Sequence, residues 1–162
     1  RGTEMRRTPL ALACVLAATF VIAPGLLAQE TSAEGHAVYV PKDHAKVELP
    51  DGTYAVEQMS EGYVFTDDPD SSFNLVKQDC AGTNIVAADG TVMRASGYCS
   101  GRDQEGDMYW ISYWNGPEGG EWSLIGGIGK WEGVSGGGTS QPIAADPSGT
   151  FAIRWEGSWT TE

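Results

Sequence analysis

The chain is short of the residues that catalytic and nucleic-acid-binding sites most often use. Among its 162 residues are two histidines, His36 and His44, and three cysteines. Ten Lys and Arg stand against 22 Asp and Glu, a formal net charge of −12. A nucleic-acid partner is excluded on that count, since phosphate binding needs a basic footprint. The two early histidines assemble no nucleophile triad. The glycine run over 126–138 lacks a Gly-Lys-Ser/Thr ending, so it is not a phosphate loop. A convincing amphipathic helical period is missing too, and 22 Gly with eight Pro argue against a helical bundle. What the chain does have is six Trp, six Tyr and four Phe, too many large apolar groups for a disordered segment.

The one long apolar run lies at the start. Residues 1–4 precede the first Met and read as an upstream scar. Arg6 and Arg7 then form a positive region, 10–27 is apolar, and Ala28 offers a small residue for cleavage. Residues 1–28 are therefore expected to be a scar plus signal peptide, with the mature chain starting at Gln29. A membrane anchor fits less well, because Pro24-Gly25 suits a cleavage region. The mature protein is expected to be exported, periplasmic or extracellular, with no membrane contact after cleavage.

Cys80 and Cys99 then remain, and in an exported chain they most simply form one disulfide. Its loop of about 20 residues would contribute about 3 kcal/mol in the chain-entropy model. No metal centre and no cofactor are expected, because the histidines sit far upstream in a segment rich in Pro, Lys and Asp.

Residues 29–45 read as a polar N-terminal arm and 46–162 as one domain. That domain is a series of short strands divided by turn signals. Pro50-Asp51-Gly52, Asp89-Gly90, Glu105-Gly106 and Asn115-Gly116-Pro117 mark the breaks. Strands are expected over 46–49, 53–66, 73–87, 91–102, 107–114, 121–127, 130–139 and 150–160, with a bulge at Gly62. A hairpin at Asp89-Gly90 places Cys80 opposite Cys99. The expectation is an all-β fold, an antiparallel eight-stranded meander. A sandwich is the alternative, but a barrel removes exposed edges.

The segment Gly126-Gly127-Ile128-Gly129-Lys130-Trp131 with its glycine-rich return to Thr139 resembles a strand pair of allene oxide cyclase-like and dirigent-like barrels. Gln78-Asp79-Cys80, Ser96-Gly97-Tyr98-Cys99 and 154–159 look like features of small exported bacterial proteins of that sort. The resemblance is firmest over 120–160, and Ile128 stands where those families usually have Thr or Ser. It implies a barrel holding an apolar small molecule, often in a trimer. Allene oxide cyclases rearrange a fatty-acid epoxide, and dirigent proteins orient phenolic radicals or quinone methides. Neither family's catalytic residues match positions here, so no catalytic role is carried over.

Three sets of residues are candidates for function. Along 107–114, Met108, Trp110, Ser112 and Trp114 share one face and Tyr109, Ile111 and Tyr113 the other. Both faces are apolar, so one fills the barrel and the other needs cover. With Trp122, Trp110 and Trp114 are the expected cavity walls; plain core with an oligomer contact is the alternative. In the last strand Phe151, Ile153 and Trp155 are expected inside, leaving Arg154 and Glu156 outside; the reversed faces would put an acid–base pair within. Glu57 is a further polar candidate. The acidic turns 67–70 and 103–107 read as solvated turns without the span of a calcium loop.

The functional expectation is a small exported barrel binding a small, largely apolar ligand, with guidance of an isomerisation or cyclisation as its extension. The alternative is a non-catalytic structural or protein-interaction module. A homo-oligomer, dimer or trimer, is compatible with either.

Overall fold

A computed structural model describes residues 30–161. The leader and its cleavage point lie outside the described residues. The chain forms β1 (Glu30–Glu48), β2 (Tyr54–Thr66), β3 (Val76–Val86), β4 (Val92–Arg102), β5 (Met108–Gly116), β6 (Gly119–Ile128), β7 (Ser135–Ala145) and β8 (Phe151–Thr160). A 3-10 turn, Gly129–Trp131, precedes β7. Each strand pairs antiparallel with the next, and β8 pairs back onto β1, so the sheet closes into the expected eight-stranded barrel.

Four hairpins share one turn design. Leu49, Ala87, Asp103 and Asp146 each donate their N–H to the carbonyl four residues on and accept the N–H of the glycine three residues on. Those glycines, Gly52, Gly90, Gly106 and Gly149, have φ between +85° and +94°. That is the left-handed position of a three-residue hairpin loop, which glycine occupies without steric cost. The turn at Gly90 sets the register of β3 and β4, so Cys80 faces Cys99 directly and the two are bonded, Cα to Cα 4.0 Å.

The barrel has two unlike ends. The turns β1–β2, β3–β4, β5–β6 and β7–β8 meet at one. The β2–β3 loop, the turn 103–107 and the 3-10 turn meet at the other, and there Phe73 and Trp131 plug the interior. Phe73 packs at 4.4 Å from Trp159, 4.8 Å from Tyr109 and 4.9 Å from Trp131, measured between ring centroids. These offset and edge-on arrangements are the ones aromatic quadrupoles favour.

Four expectations change. The strand expected over 130–139 begins later, as β7 at Ser135, because the 3-10 turn at Gly129–Trp131 intervenes. The segment read as an arm is strand: Glu30–Glu48 is β1, paired with both β2 and β8. Its inward residues are Gly35, Ala37 and Tyr39, mostly small, while His36, Val38 and Val40 face out. Alternation of that kind does not look like a strand in composition. Gly62 is not a bulge; it pairs regularly with Tyr39, and the irregularity sits at Pro41/Asp43 on β1. Phe73 precedes β3 rather than starting it, and Leu75 beside it has φ +55°.

Candidate functional site

The inner wall is built from alternate residues of each strand. At the closed end it is fully packed by Val76, Tyr109, Leu124, Trp131, Trp155 and Trp159. Above this layer lies a buried polar row. Tyr39 Oη donates to Gln78 Oε1 at 2.5 Å, and Gln78 Nε2 donates to Tyr109 Oη at 2.8 Å. Burial pushes both phenols far above their ordinary pKa, and Tyr113 adds to the effect at Tyr39. They remain neutral hydrogen-bonding groups and are not bases.

Toward the other end the inner residues are only half-buried. Tyr54, Val56, Asn84, Tyr113, Phe151 and Ile153 all point inward and all stay partly accessible. Tyr113 reaches beneath Gly97 to Gly82; a Cβ on Gly82 would meet its Oη at 2.3 Å. From β2 to β8 the inward positions carry no charged side chain among the described residues, whereas on β1 Lys46 and Glu48 stand opposite the inward Val56 and Tyr54, with Lys46 Nζ 4.0 Å over the Tyr54 ring. Among the described residues the buried indole N–H of Trp155, a residue 5 % exposed, has no acceptor.

Of the candidate residues, only Trp122 lies inside. It is buried, donates Nε1 to Thr139 O at 3.3 Å, and stands edge-on to Trp155 at 6.1 Å. Trp110 and Trp114 point outward, 37 % and 49 % exposed, so they do not wall the interior. The reason is steric. On β5 the inward residues Tyr109 and Tyr113 lie opposite Gly101 and Gly97 of β4, which leave room for their rings.

Arg154 and Glu156 face out, as the first of the two readings has it. Arg154 Nη2 donates to Glu34 Oε2 at 2.5 Å and lies 3.9 Å from Asp67. Glu156 accepts from Thr139 Oγ1 at 3.2 Å. Glu57 is also on the outer wall and exposed. These residues are not brought together with Trp122. Tyr39, Gln78 and Trp131 were missed as site residues. Glycines placed opposite the inward aromatics are the signal that could have revealed the inner face.

Hollows lie on two sides of the outer wall. One, about 720 Å³, crosses β1 to β5 and includes Asp43, Glu57, Met59 and Tyr98. The other, about 740 Å³, lies over β7, β8 and β1 and includes Glu34, Asp68 and Glu156. Asp103, Glu105 and Asp107 bring carboxylate oxygens within 4.8 Å of one another. Lys130 engages all three, and its backbone N–H donates to Asp107 Oδ2 at 3.1 Å. Lys130 Nζ lies 3.1 Å from Asp103 and 2.8 Å from Glu105.

The closed, all-antiparallel barrel of eight sequential strands is a dirigent-like fold. Solved structures similar to this chain include two dirigent proteins. The pterocarpan synthase dirigent protein GePTS1 superposes with a TM-score of 0.53 at 17 % identity, over 89 % of this chain and 99 % of that one. The pterocarpan synthase dirigent protein PsPTS1 does so with a TM-score of 0.53 at 13 % identity, over 82 % and 96 %. No family model and no curated protein sequence matches the chain.

Proposed function

We propose that the protein is an exported barrel that holds a small, uncharged, largely apolar molecule through its accessible end. The carrying observation is the change in burial along the interior: aromatic rings seal one end, while inward residues stay partly exposed at the other. The lining sets the ligand's chemistry. Phe151, Ile153 and Val56 offer apolar contact at the accessible end. The inner wall from β2 to β8 is without charge, which favours a neutral guest beyond the mouth, where Lys46 and Glu48 of β1 stand opposite Val56 and Tyr54. Export is in keeping with the Cys80–Cys99 disulfide, and among the described residues no helix is long and apolar enough to cross a membrane.

The test is a tryptophan-fluorescence titration of residues 29–162, disulfide intact, with fatty acids, phenolics and apolar dyes. A saturable change is expected, abolished by Val56→Arg at the accessible end and kept by Trp114→Ala on the outside. No response to any probe, or loss with Trp114→Ala alone, would sink this reading.

A second reading is contact with another protein chain, a second copy included. Val38, Tyr63 and Phe65 favour it: they lie on neighbouring rungs of β1 and β2, face outward, and are each at least 40 % exposed. Sedimentation that reports a monomer at all concentrations would remove the second copy.

A further inference from the structure

We propose that the hollow over β1 to β5 is a second binding site, on the outside of the barrel, for an organic cation with an apolar or aromatic tail. Its walls follow from the register. Cys80 and Cys99 face inward, so Ala81 and Tyr98, one residue along, face outward. Met59 and Asp43 continue that row across β2 and β1, and Glu57 lies on the next outward rung. Three strand spacings, about 14 Å, therefore separate the backbone at Tyr98 from that at Asp43.

The two ends of the hollow differ in chemistry. At one end Asp43 and Glu57 sit diagonally across the β1–β2 pair, where side chains come within reach of a shared guest. Neither forms an ion pair among the described residues. The neighbouring cations are engaged elsewhere: Lys42 pairs with Glu61, and Lys46 pairs with Glu48 at 3.2 Å and lies 4.0 Å over the Tyr54 ring. At the other end Tyr98, 64 % exposed, and Met59 present an apolar surface, with small Ala81 and Ser112 between.

Charge complementarity decides the guest. The hollow is lined by no Lys or Arg and by one histidine, His44, against the two carboxylates, and its 720 Å³ is in the range of a small-molecule site. An anion would be repelled by both carboxylates. A neutral molecule would gain the Tyr98 and Met59 contacts and leave the acidic end unused. An ammonium group placed between Asp43 and Glu57 with its tail on Tyr98 uses both ends. Because the site faces away from the barrel interior, its occupancy does not depend on the interior reading.

Three probes of one skeleton test this: 2-phenylethylammonium, 2-phenylethanol and phenylacetate, titrated calorimetrically into the folded protein at 150 mM salt. Saturable binding of the ammonium is expected, tighter than the alcohol by about tenfold, with phenylacetate weakest. Asp43→Asn with Glu57→Gln should bring ammonium and alcohol to within about twofold of each other. Tyr98→Ala should weaken the ammonium as well. The control is Glu118→Gln with Glu132→Gln, the same change of net charge outside the hollow, which should leave binding intact. Equal binding of ammonium and alcohol to the wild type, no saturable binding, or equal losses in the two double variants would overturn the proposal.

Discussion

The carboxylate of Asp103 accepts the indole N–H of Trp131 at 2.8 Å, and this bond ties the turn between β4 and β5 to the plug of the closed end. The other oxygen accepts the backbone N–H of Glu105 at 2.9 Å and of Asp107 at 3.0 Å. Burial alone would raise the Asp103 pKa; the hydrogen bonds from Trp131 and Lys130 outweigh it and hold the group below its ordinary value. A lowered folded-state pKa contributes stability above the unfolded value, about 3.9 for Asp, and that stability is lost as pH falls through the folded value. The urea midpoint should therefore drop below about pH 4. In Asp103→Asn this part of the acid dependence should be absent. Asp103→Ala leaves the indole donor unpaired and should cost about 1–3 kcal/mol at pH 7. An acid limb identical in wild type and Asp103→Asn would show that other carboxylates govern it.

The disulfide makes a separate prediction. Both sulfurs belong to buried residues on directly opposed positions of β3 and β4, 19 residues apart in sequence. Replacing both cysteines by Ala should lower stability by about 3 kcal/mol in the chain-entropy model and leave the far-UV spectrum unchanged. The strand pairing is set independently by the Gly90 turn. Collapse of the β-sheet signal on replacement would mean that the disulfide, and not the turn, specifies the register.

Glycine content is a packing requirement on the inner wall. A Cβ on Gly157 would meet Trp122 Cζ2 at 2.3 Å and Gly137 O at 2.6 Å. Gly157→Ala should therefore destabilise by about 1–3 kcal/mol through overpacking. Trp122→Phe in the same chain should recover part of that loss, because the clash is with the larger ring. Gly90→Ala is the comparison: nothing lies within 4 Å of its Cβ, so only the strain of φ +91° is added. Urea titrations of the variants check the difference. Full additivity of Gly157→Ala and Trp122→Phe would deny the contact.

Much of this architecture was legible because turns and glycines carry it. The hairpins at Gly52, Gly90 and Gly106 are each written as a short polar segment ending in glycine, and the Cys80–Cys99 register follows by counting from one of them; the like turn at Gly149 was not read. In β8 the alternation of Phe151, Ile153 and Trp155 with charged neighbours assigned the faces correctly. β1 was missed because its buried positions are Gly35 and Ala37, small residues chosen by barrel curvature and not by hydrophobicity. In β5 both faces are aromatic, so periodicity has no preferred direction there. The direction is set by the neighbouring strand, where Gly97 and Gly101 accommodate rings on one face only. The plug was beyond local patterns altogether: Phe73 and Trp131 lie outside the strands and meet only when the barrel closes.

The opposite orientations of two tryptophans lead to the last prediction. Trp114 donates Nε1 to Glu121 Oε2 at 3.3 Å on the outer wall, an exposed contact that contributes little. Trp122, one strand away, is buried among Phe73, Trp155 and the backbone of β8. Trp122→Ala should cost about 3–5 kcal/mol by opening a cavity. Trp114→Ala should stay within about 0.5 kcal/mol, as surface substitutions do. Equilibrium urea unfolding at low protein concentration measures both. If the cost of Trp114→Ala grows with protein concentration, its ring is covered by another chain, since stability then includes the free energy of association. If that cost stays small at every concentration, the outer aromatics of β5 remain free for other contacts.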